Sequence, residues 1–330
     1  MKFIKDEIRW GIIGCGDVCE VKSGPAFSKV PNSTLVAVMR RDAEKAKDYA
    51  TRHNVPTYYS EAQQLIDDPE INAIYIATPP AQHEEYALKA MAAGKPVYIE
   101  KPLAMDAASC MRIRDASIKS EVRASGAYYR RALPLFAKVK SLLSENKTGK
   151  VKLINLNTQQ AVDTKVITKT PDNWRVNPGL SGGGYFHDLS PHQLDLMYWF
   201  FGKPLDLRGR SMNQDKKYNA PDITTLEAIF PGDILFRGVW SFNVHESAAT
   251  DRCEIIGDQG MLTFSFFTGA RLEIKTSETT EVLEFTNPPN IQLPMIEKVV
   301  QYFRGEGTNP CSMEDALVSM QMIDATAAGY

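Results

Sequence analysis

The chain has 330 residues, a length that suits roughly two domains. Its hydrophobic share of 43% and charged share of 24% are those of a globular protein and exclude disordered, collagen-like and low-complexity classes. A formal net charge of −2 gives no electrostatic footprint for nucleic-acid backbones or anionic membranes, although it leaves room for a local cationic pocket for one small phosphate.

No apolar run approaches the ~20 residues needed to span a bilayer. Met1 to Trp10 alternates charged and apolar residues, unlike the uninterrupted core of a secretory signal. The five cysteines (Cys15, Cys19, Cys110, Cys253 and Cys311) are scattered and match no zinc spacing. The expectation is small buried thiols in a reducing cytoplasm, and no metal.

The first third has a strict rhythm. Apolar runs at Ile8–Ile13, Leu35–Met39, Ala73–Ala77 and Pro96–Ile99 read as strands, with a further strand at Val122–Tyr128. Helical patterns lie between them at Ala43–His53, Glu61–Ile66, Gln82–Ala93 and Asp106–Ser120. Gly94 stands where a helix C-terminal glycine belongs. Short unalternating strands spaced by helices predict a doubly wound α/β domain with a parallel sheet, spanning residues 1–127.

The remainder, 128–330, reads as an α+β domain on a large, mostly antiparallel open sheet. Phe136–Leu143 and Pro191–Phe201 are predicted helices, and Val151–Gln160 is a predicted strand. Strands are also expected at Thr224–Phe230, Ile234–Phe242, Arg252–Gly257, Gly260–Phe267, Arg271–Lys275 and Val282–Phe285. Turn signals such as Pro231-Gly232-Asp233 separate them. The last of two closing helices starts at Ser312, which can cap it. An apolar, strand-rich half should leave one sheet face needing cover, which predicts a homodimer or homotetramer.

Gly11-Ile12-Ile13-Gly14-Cys15-Gly16 ends the first strand, with Asp17 and Val18 opening the next helix. Glycines there allow a tight turn and let the backbone reach a pyrophosphate at a helix N-terminus. The third fingerprint position is Cys19 instead of glycine. The second strand ends in Arg40-Arg41-Asp42, two guanidinium groups where an NAD enzyme usually has an acid. Their planar forks suit a 2′-phosphate, which favours NADP. The other reading is a solvated basic pair with Asp42 capping the next helix. Asp42 within reach of a ribose keeps NAD open.

Ala77-Thr78-Pro79-Pro80 forms an extended turn at a strand's carboxyl end, where open α/β sheets bind ligands, and His83 starts the next helix. His83 lies near the cofactor ribose or serves packing. Glu100-Lys101-Pro102 follows another strand, which places Lys101 at the ligand edge for proton transfer. In Gly182-Gly183-Gly184-Tyr185-Phe186-His187-Asp188-Leu189-Ser190-Pro191-His192, glycines allow a substrate to approach closely. Asp188 and His192, four apart, share one face of a helical turn, and a carboxylate there orients the imidazole. Pro191 belongs in a first turn, which makes Asp188 an alternative N-cap.

Together these blocks resemble the glucose–fructose oxidoreductase / inositol dehydrogenase family, Gfo/Idh/MocA, over nearly the whole chain. The resemblance also takes in Ala93-Gly94-Lys95-Pro96, Asp195, Trp199 and Gly202. It implies a Rossmann domain, then an open-sheet domain, with substrate between them against the nicotinamide. It implies that Lys101, Asp188 and His192 form the catalytic group. His192 would exchange a proton with the reacting oxygen, Lys101 would bind and polarise that oxygen, and Asp188 would support both. Glu100 and Pro102 would shape the nicotinamide end, with a cis Lys101-Pro102 bond.

Arg9-Trp10-Gly11-Ile12 and Arg41-Asp42 are similar to NADP-linked members such as dihydrodiol dehydrogenases and anhydrofructose reductase. The latter also has a Trp-Arg pair before the glycine run, here Trp174-Arg175. Tyr128, Arg130, Arg131, Trp174 and Arg175 are expected near a sugar or polyol-like substrate, with a role at the domain interface the alternative, favoured for Arg131. The leading expectation is hydride transfer between NADP(H) and a hydroxyl or carbonyl carbon. The alternatives are glycoside cleavage with retained NAD, and a non-catalytic cofactor-bound sensor or partner-binding module.

Overall fold

The computed structural model describes residues 2–162 and 173–327. The chain divides into two compact units, Met1–Ala132 with Pro288–Leu317, and Leu133–Asn287 with Val318–Tyr330. The segment after the second sheet thus returns to the first unit, a feature that no local sequence pattern announces.

The first unit carries a six-stranded parallel sheet. Its strands are β1 (Ile8–Ile13), β2 (Ser33–Met39), β3 (Thr57–Tyr59), β4 (Ala73–Ile76), β5 (Val97–Ile99) and β6 (Ala124–Gly126), in the order β3-β2-β1-β4-β5-β6. Sequence order reverses between β1 and β4, which marks the ligand end of such sheets. The central strands β1, β4 and β5 are buried almost throughout, because helices on both faces demand continuous apolar runs. Edge strand β3, with Tyr58 exposed between two half-buried residues, has too little apolar signal to stand out in the sequence. The sequence marked its neighbours closely, as Gly94 ends the helix His83–Ala92 at φ 73°.

The second unit is built on an eight-stranded sheet. Its strands are β7 (Val151–Ala161), β8 (Asp206–Met212), β9 (Ile223–Phe230), β10 (Ile234–Val244), β11 (Thr250–Gly257), β12 (Gly260–Phe264), β13 (Arg271–Thr276) and β14 (Thr280–Glu284). They lie in the order β14-β13-β12-β11-β7-β10-β9-β8, antiparallel except for the β7–β10 pair. One face, with Ile154, Leu156, Leu226, Phe236, Trp240, Ile255 and Leu262, is fully buried. Helices Pro134–Ser144 and Gly184–Phe201 belong to the same unit and pack on strands of this sheet.

The other face is more mixed than expected. Its middle is polar, because register aligns Arg208, Glu227, Arg237, Asn155 and Glu254 in one row across five strands. Arg237 donates to Asn155 at 2.9 Å, and Arg252 pairs with Glu254 at 2.8 Å. A concavity of about 650 Å³ opens over this row. A second row on the same face is apolar, since register aligns Ile229, Leu235, Leu153, Ile256 and Met261 across the same sheet, none of them fully buried.

The long helix is also corrected. It begins at Gly184, not Pro191, and carries Pro191 inside. Proline removes one backbone N–H, so the helix keeps its course through the packing of a segment buried almost continuously from Gly184 to Met197. Among the described residues no helix is long and apolar enough to cross a membrane.

Candidate functional site

In the first unit the predicted dinucleotide turn forms at the carboxyl end of β1. Gly14 has φ 94°, and a Cβ there would lie 2.8 Å from the Thr78 amide nitrogen, so only glycine lets β1 and the loop after β4 come this close. Gly16 caps the short helix Asp17–Val21, and a Cβ there would meet nothing nearer than 4.0 Å. That open side, with Asp17 and Val18 next in the chain, is room for a pyrophosphate. The Thr78 hydroxyl beside it is buried with no hydrogen-bond partner, as expected of a group that completes its bonding with a ligand. The turn therefore fits a dinucleotide.

Gly11 serves another purpose. A Cβ there would stand 2.6 Å from Leu65 and 3.0 Å from Ile71, so the residue packs the sheet against its neighbours and does not face the turn. Cys19, at the third fingerprint position, is fully buried, and its carbonyl accepts from Tyr49 at 2.8 Å. All five cysteines are buried and unpaired with one another. Burial pushes the Cys15 thiol up to about 11. Among the described residues no cluster of ligating side chains could hold a metal.

At the end of β2, Arg40 reaches back to the Cys15 carbonyl at 3.5 Å, while Arg41 is exposed. Asp42 caps helix Ala43–Arg52, accepting from the Lys45 amide at 3.2 Å. The basic pair thus flanks the glycine turn, with Asp42 engaged by the helix.

His83 is wholly buried. Its Nε2 lies 2.7 Å from the Thr78 carbonyl, and its Nδ1 lies 3.0 Å from that of Pro102. It ties the loop after β4, with Pro79 and Pro80, to the loop after β5. With its ring enclosed and one N–H donating to a backbone carbonyl, His83 takes the packing role of the two expected for it.

The Lys101-Pro102 bond is cis. Glu100, 5% exposed, accepts from the Tyr75 hydroxyl, from Gln292 Nε2 at 2.7 Å and from the Lys101 amide at 3.2 Å. Burial and the Glu100 charge raise the Tyr75 hydroxyl well above its ordinary value. Gln292 comes from the returning segment, so neither it nor Tyr75 was visible as a site residue in the sequence. Tyr128 and Arg130 are buried, and Arg130 lies over the Tyr129 ring at 5.5 Å. Arg131 pairs with Asp315 at 3.1 Å and donates to the Pro310 carbonyl at 3.2 Å. It anchors the returning segment within its own unit.

In the second unit Asp188 and His192 share one face of helix Gly184–Phe201, which removes the N-cap alternative for Asp188. Arg175 donates its Nε to Asp188 at 3.1 Å and lies over the Trp174 ring at 4.6 Å, so Trp174, Arg175 and Asp188 come together. His192 is 5% exposed, with the Phe267 ring centroid 6.2 Å from its own. The next residue, Gln193, is fully buried. It donates to Thr158 at 2.7 Å and accepts from the Trp240 indole at 2.6 Å, which fastens the helix to β7 and β10 beside His192.

The glycine run is likewise explained by the chain itself. A Cβ on Gly183 would stand 2.2 Å from the His187 ring, and one on Gly184 2.5 Å from Ala220. These two glycines make room for the protein's own side chains, not for a substrate. Burial pushes the His187 imidazole down to about 4.

Two family models match the chain. One, an oxidoreductase family with an NAD-binding Rossmann fold, covers residues 8–128, and the other, the Gfo/Idh/MocA C-terminal domain, covers 136–263. Oxidoreductase P35 of Formosa agariphila is 43% identical over 97% of this chain and 98% of its own. The aldose-aldose oxidoreductase of Caulobacter crescentus, solved with glycerol, superposes with TM-score 0.85 at 21% identity, over 97% of this chain and 96% of that one. A levoglucosan dehydrogenase solved with NADH and levoglucosan gives 0.83 at 20% identity, over 98% and 96%. At these identities the two solved structures establish the fold alone.

Proposed function

The chain belongs to the Gfo/Idh/MocA oxidoreductase family, and from that premise we propose that it moves a hydride between NADP(H) and a hydroxyl-bearing or carbonyl carbon of a sugar or polyol-like substrate. The observation that carries the chemistry is Asp188 and His192 on one helix face, with Arg175 bound to Asp188. His192 exchanges the proton of the reacting oxygen. Lys101, at the end of β5, binds and polarises that oxygen. Asp188, its charge balanced by Arg175, keeps the constellation in register. Trp174, Arg175, Tyr128 and Arg130 hold the hydroxyls of the substrate by stacking and forked hydrogen bonds.

The nicotinamide supplies or accepts the hydride when bound. The amides around Gly14, Gly16, Asp17 and Val18 take the pyrophosphate, and the Thr78 hydroxyl, Pro79 and Pro80 line the turn. Glu100 and Pro102 shape the nicotinamide end. Arg40 and Arg41 face the 2′-phosphate, which is the basis for preferring NADP. A polyol, glycerol, and an anhydrosugar, levoglucosan, in two solved structures of similar fold support the substrate class. The buried thiols, none of them in a disulfide, suit a reducing cytoplasm.

We also infer a homodimer or homotetramer through the open sheet face. The alternating row of Arg208, Glu227, Arg237 and Glu254 offers charge complementarity to a second copy turned about a two-fold axis. A monomer by light scattering at micromolar concentration rejects this arrangement. The functional reading is tested by titrating NADPH against NADH and then assaying a carbonyl and polyol panel with the preferred cofactor. Tight NADPH binding with turnover supports it, while saturation without turnover on any panel member favours a cofactor-bound sensor.

A further inference from the structure

A loop outside every motif singled out in the sequence reaches His192. Strand β12 ends at Phe264, and the next residues peel away from β11. Their amides would be left without strand partners, and a single carboxylate collects them. Asp251, on β11 opposite Thr158, accepts from the amides of Phe266 at 3.1 Å, Phe267 at 2.5 Å and Thr268 at 2.9 Å. The Thr268 hydroxyl adds a fourth bond at 3.2 Å. Asp251 is 7% exposed, so this cluster is shielded from water, where charge-assisted bonds are strongest.

Side chains in the loop diverge to two tasks. Phe266 is buried and stacks on Phe136, with centroids 5.7 Å apart and planes 20° apart. That contact roots the loop in the core. Phe267 points elsewhere, its ring edge-on to the His192 imidazole at 6.2 Å and 62°. An aromatic wall at that distance restricts rotation of the imidazole and keeps water from that side. His192 is then held from two directions, by Gln193 through the helix and by Phe267 across the loop.

We propose that Asp251 is a positioning residue for His192, acting through the loop it ties down and the Phe267 ring that loop carries. This rests on the role given to His192 above. It makes Phe267 the contact and Asp251 the anchor, with β8, β9 and β10 lying in sequence between Asp251 and the helix it serves.

The test compares Phe267→Ala, Phe267→Tyr, Asp251→Asn and the double variant Phe267→Ala/Asp251→Asn. With the best substrate and cofactor of the panel, Phe267→Ala lowers kcat about 10-fold with KM nearly unchanged, and Phe267→Tyr, which keeps the ring, restores it. Asp251→Asn lowers kcat in the same sense, and the double variant falls no further than the worse single. A second readout needs no turnover. In protein carrying ring-labelled histidine, the His192 resonance, one of five, shifts in both Phe267→Ala and Asp251→Asn as the ring current is lost or displaced. The other four stay in place.

An unmoved His192 resonance in Phe267→Ala, or additive losses in the double variant, overturns the proposal. Movement of all five resonances in Asp251→Asn overturns it equally, since the effect is then a general loosening. If His192→Asn retains full turnover, the functional reading fails instead, while the resonance experiment still judges the Phe267 contact.

Discussion

Replacing Gln193 by leucine tests whether the helix bearing His192 is held by a polar clamp or by apolar packing. Leucine fills nearly the same volume, so the cavity term is small and the hydrogen bonds carry the effect. The change leaves two buried groups facing hydrocarbon, the Trp240 indole N–H and the Thr158 hydroxyl. Each unsatisfied buried group costs about 1–3 kcal/mol, so Gln193→Leu should lose about 2–6 kcal/mol. That is a large fraction of a typical domain's stability. The assay is equilibrium urea unfolding, read as the shift in midpoint at constant slope. Adding Thr158→Val removes one of the stranded groups, and the double variant should recover about 1–3 kcal/mol relative to Gln193→Leu alone. A loss below about 0.5 kcal/mol, or a double variant worse than the single, refutes the clamp.

The buried His187 should make stability pH-dependent. Its imidazole is held near 4 by burial against 6.5 in the unfolded chain, so the unfolded state binds the extra proton. Its contribution is complete above pH 6.5 and drains away as pH falls toward 4, by about 3 kcal/mol in all. His187→Leu should flatten that limb in urea titrations at each pH. Glu20, held near 2 chiefly by hydrogen bonds from Arg52, acts only below about pH 4.5, so the two windows meet only between about pH 4 and 4.5. Arg41→Ala should reduce the NADPH-over-NADH affinity ratio about 10–100-fold, as befits lost charge-assisted bonds to a phosphate. Fluorescence titration reads the ratio, and an unchanged value assigns the 2′-phosphate elsewhere. Gln292→Leu removes a donor from Glu100 and should cost about 1–3 kcal/mol in urea unfolding together with a fall in kcat, linking the returning segment to the Lys101 turn. A change in stability alone makes Gln292 purely structural.

What could be read from the sequence follows the range of the forces involved. The parallel sheet was legible because helices on both faces force whole strands to be apolar, as in Ala73–Ile76. The turn at Gly14 was legible because close approach to Thr78 admits no other residue. Asp188 and His192 were legible as a pair because four residues make one helical turn. The start of their helix was not, since Pro191 signals a first turn and only tertiary burial carries the helix through it. Gly183 and Gly184 look like substrate clearance in sequence, yet His187 and Ala220 fill the space they leave. Gln292 and Asp251 were invisible. Each acts across a separation that only the folded topology closes, 192 residues to Glu100 in one case and 15 to Phe266 in the other.

Isotope transfer tests the central claim most directly. Cofactor carrying deuterium at C4 of the reduced nicotinamide, in both stereochemical forms, is turned over with each carbonyl compound that gives activity. Hydride transfer predicts one deuterium on the new carbinol carbon of the product, from one form of the cofactor only. It also predicts that Lys101→Ala and His192→Asn slow its appearance about 100-fold or more. Product that carries no deuterium while a glycosidic bond is cleaved without net reduction contradicts the account.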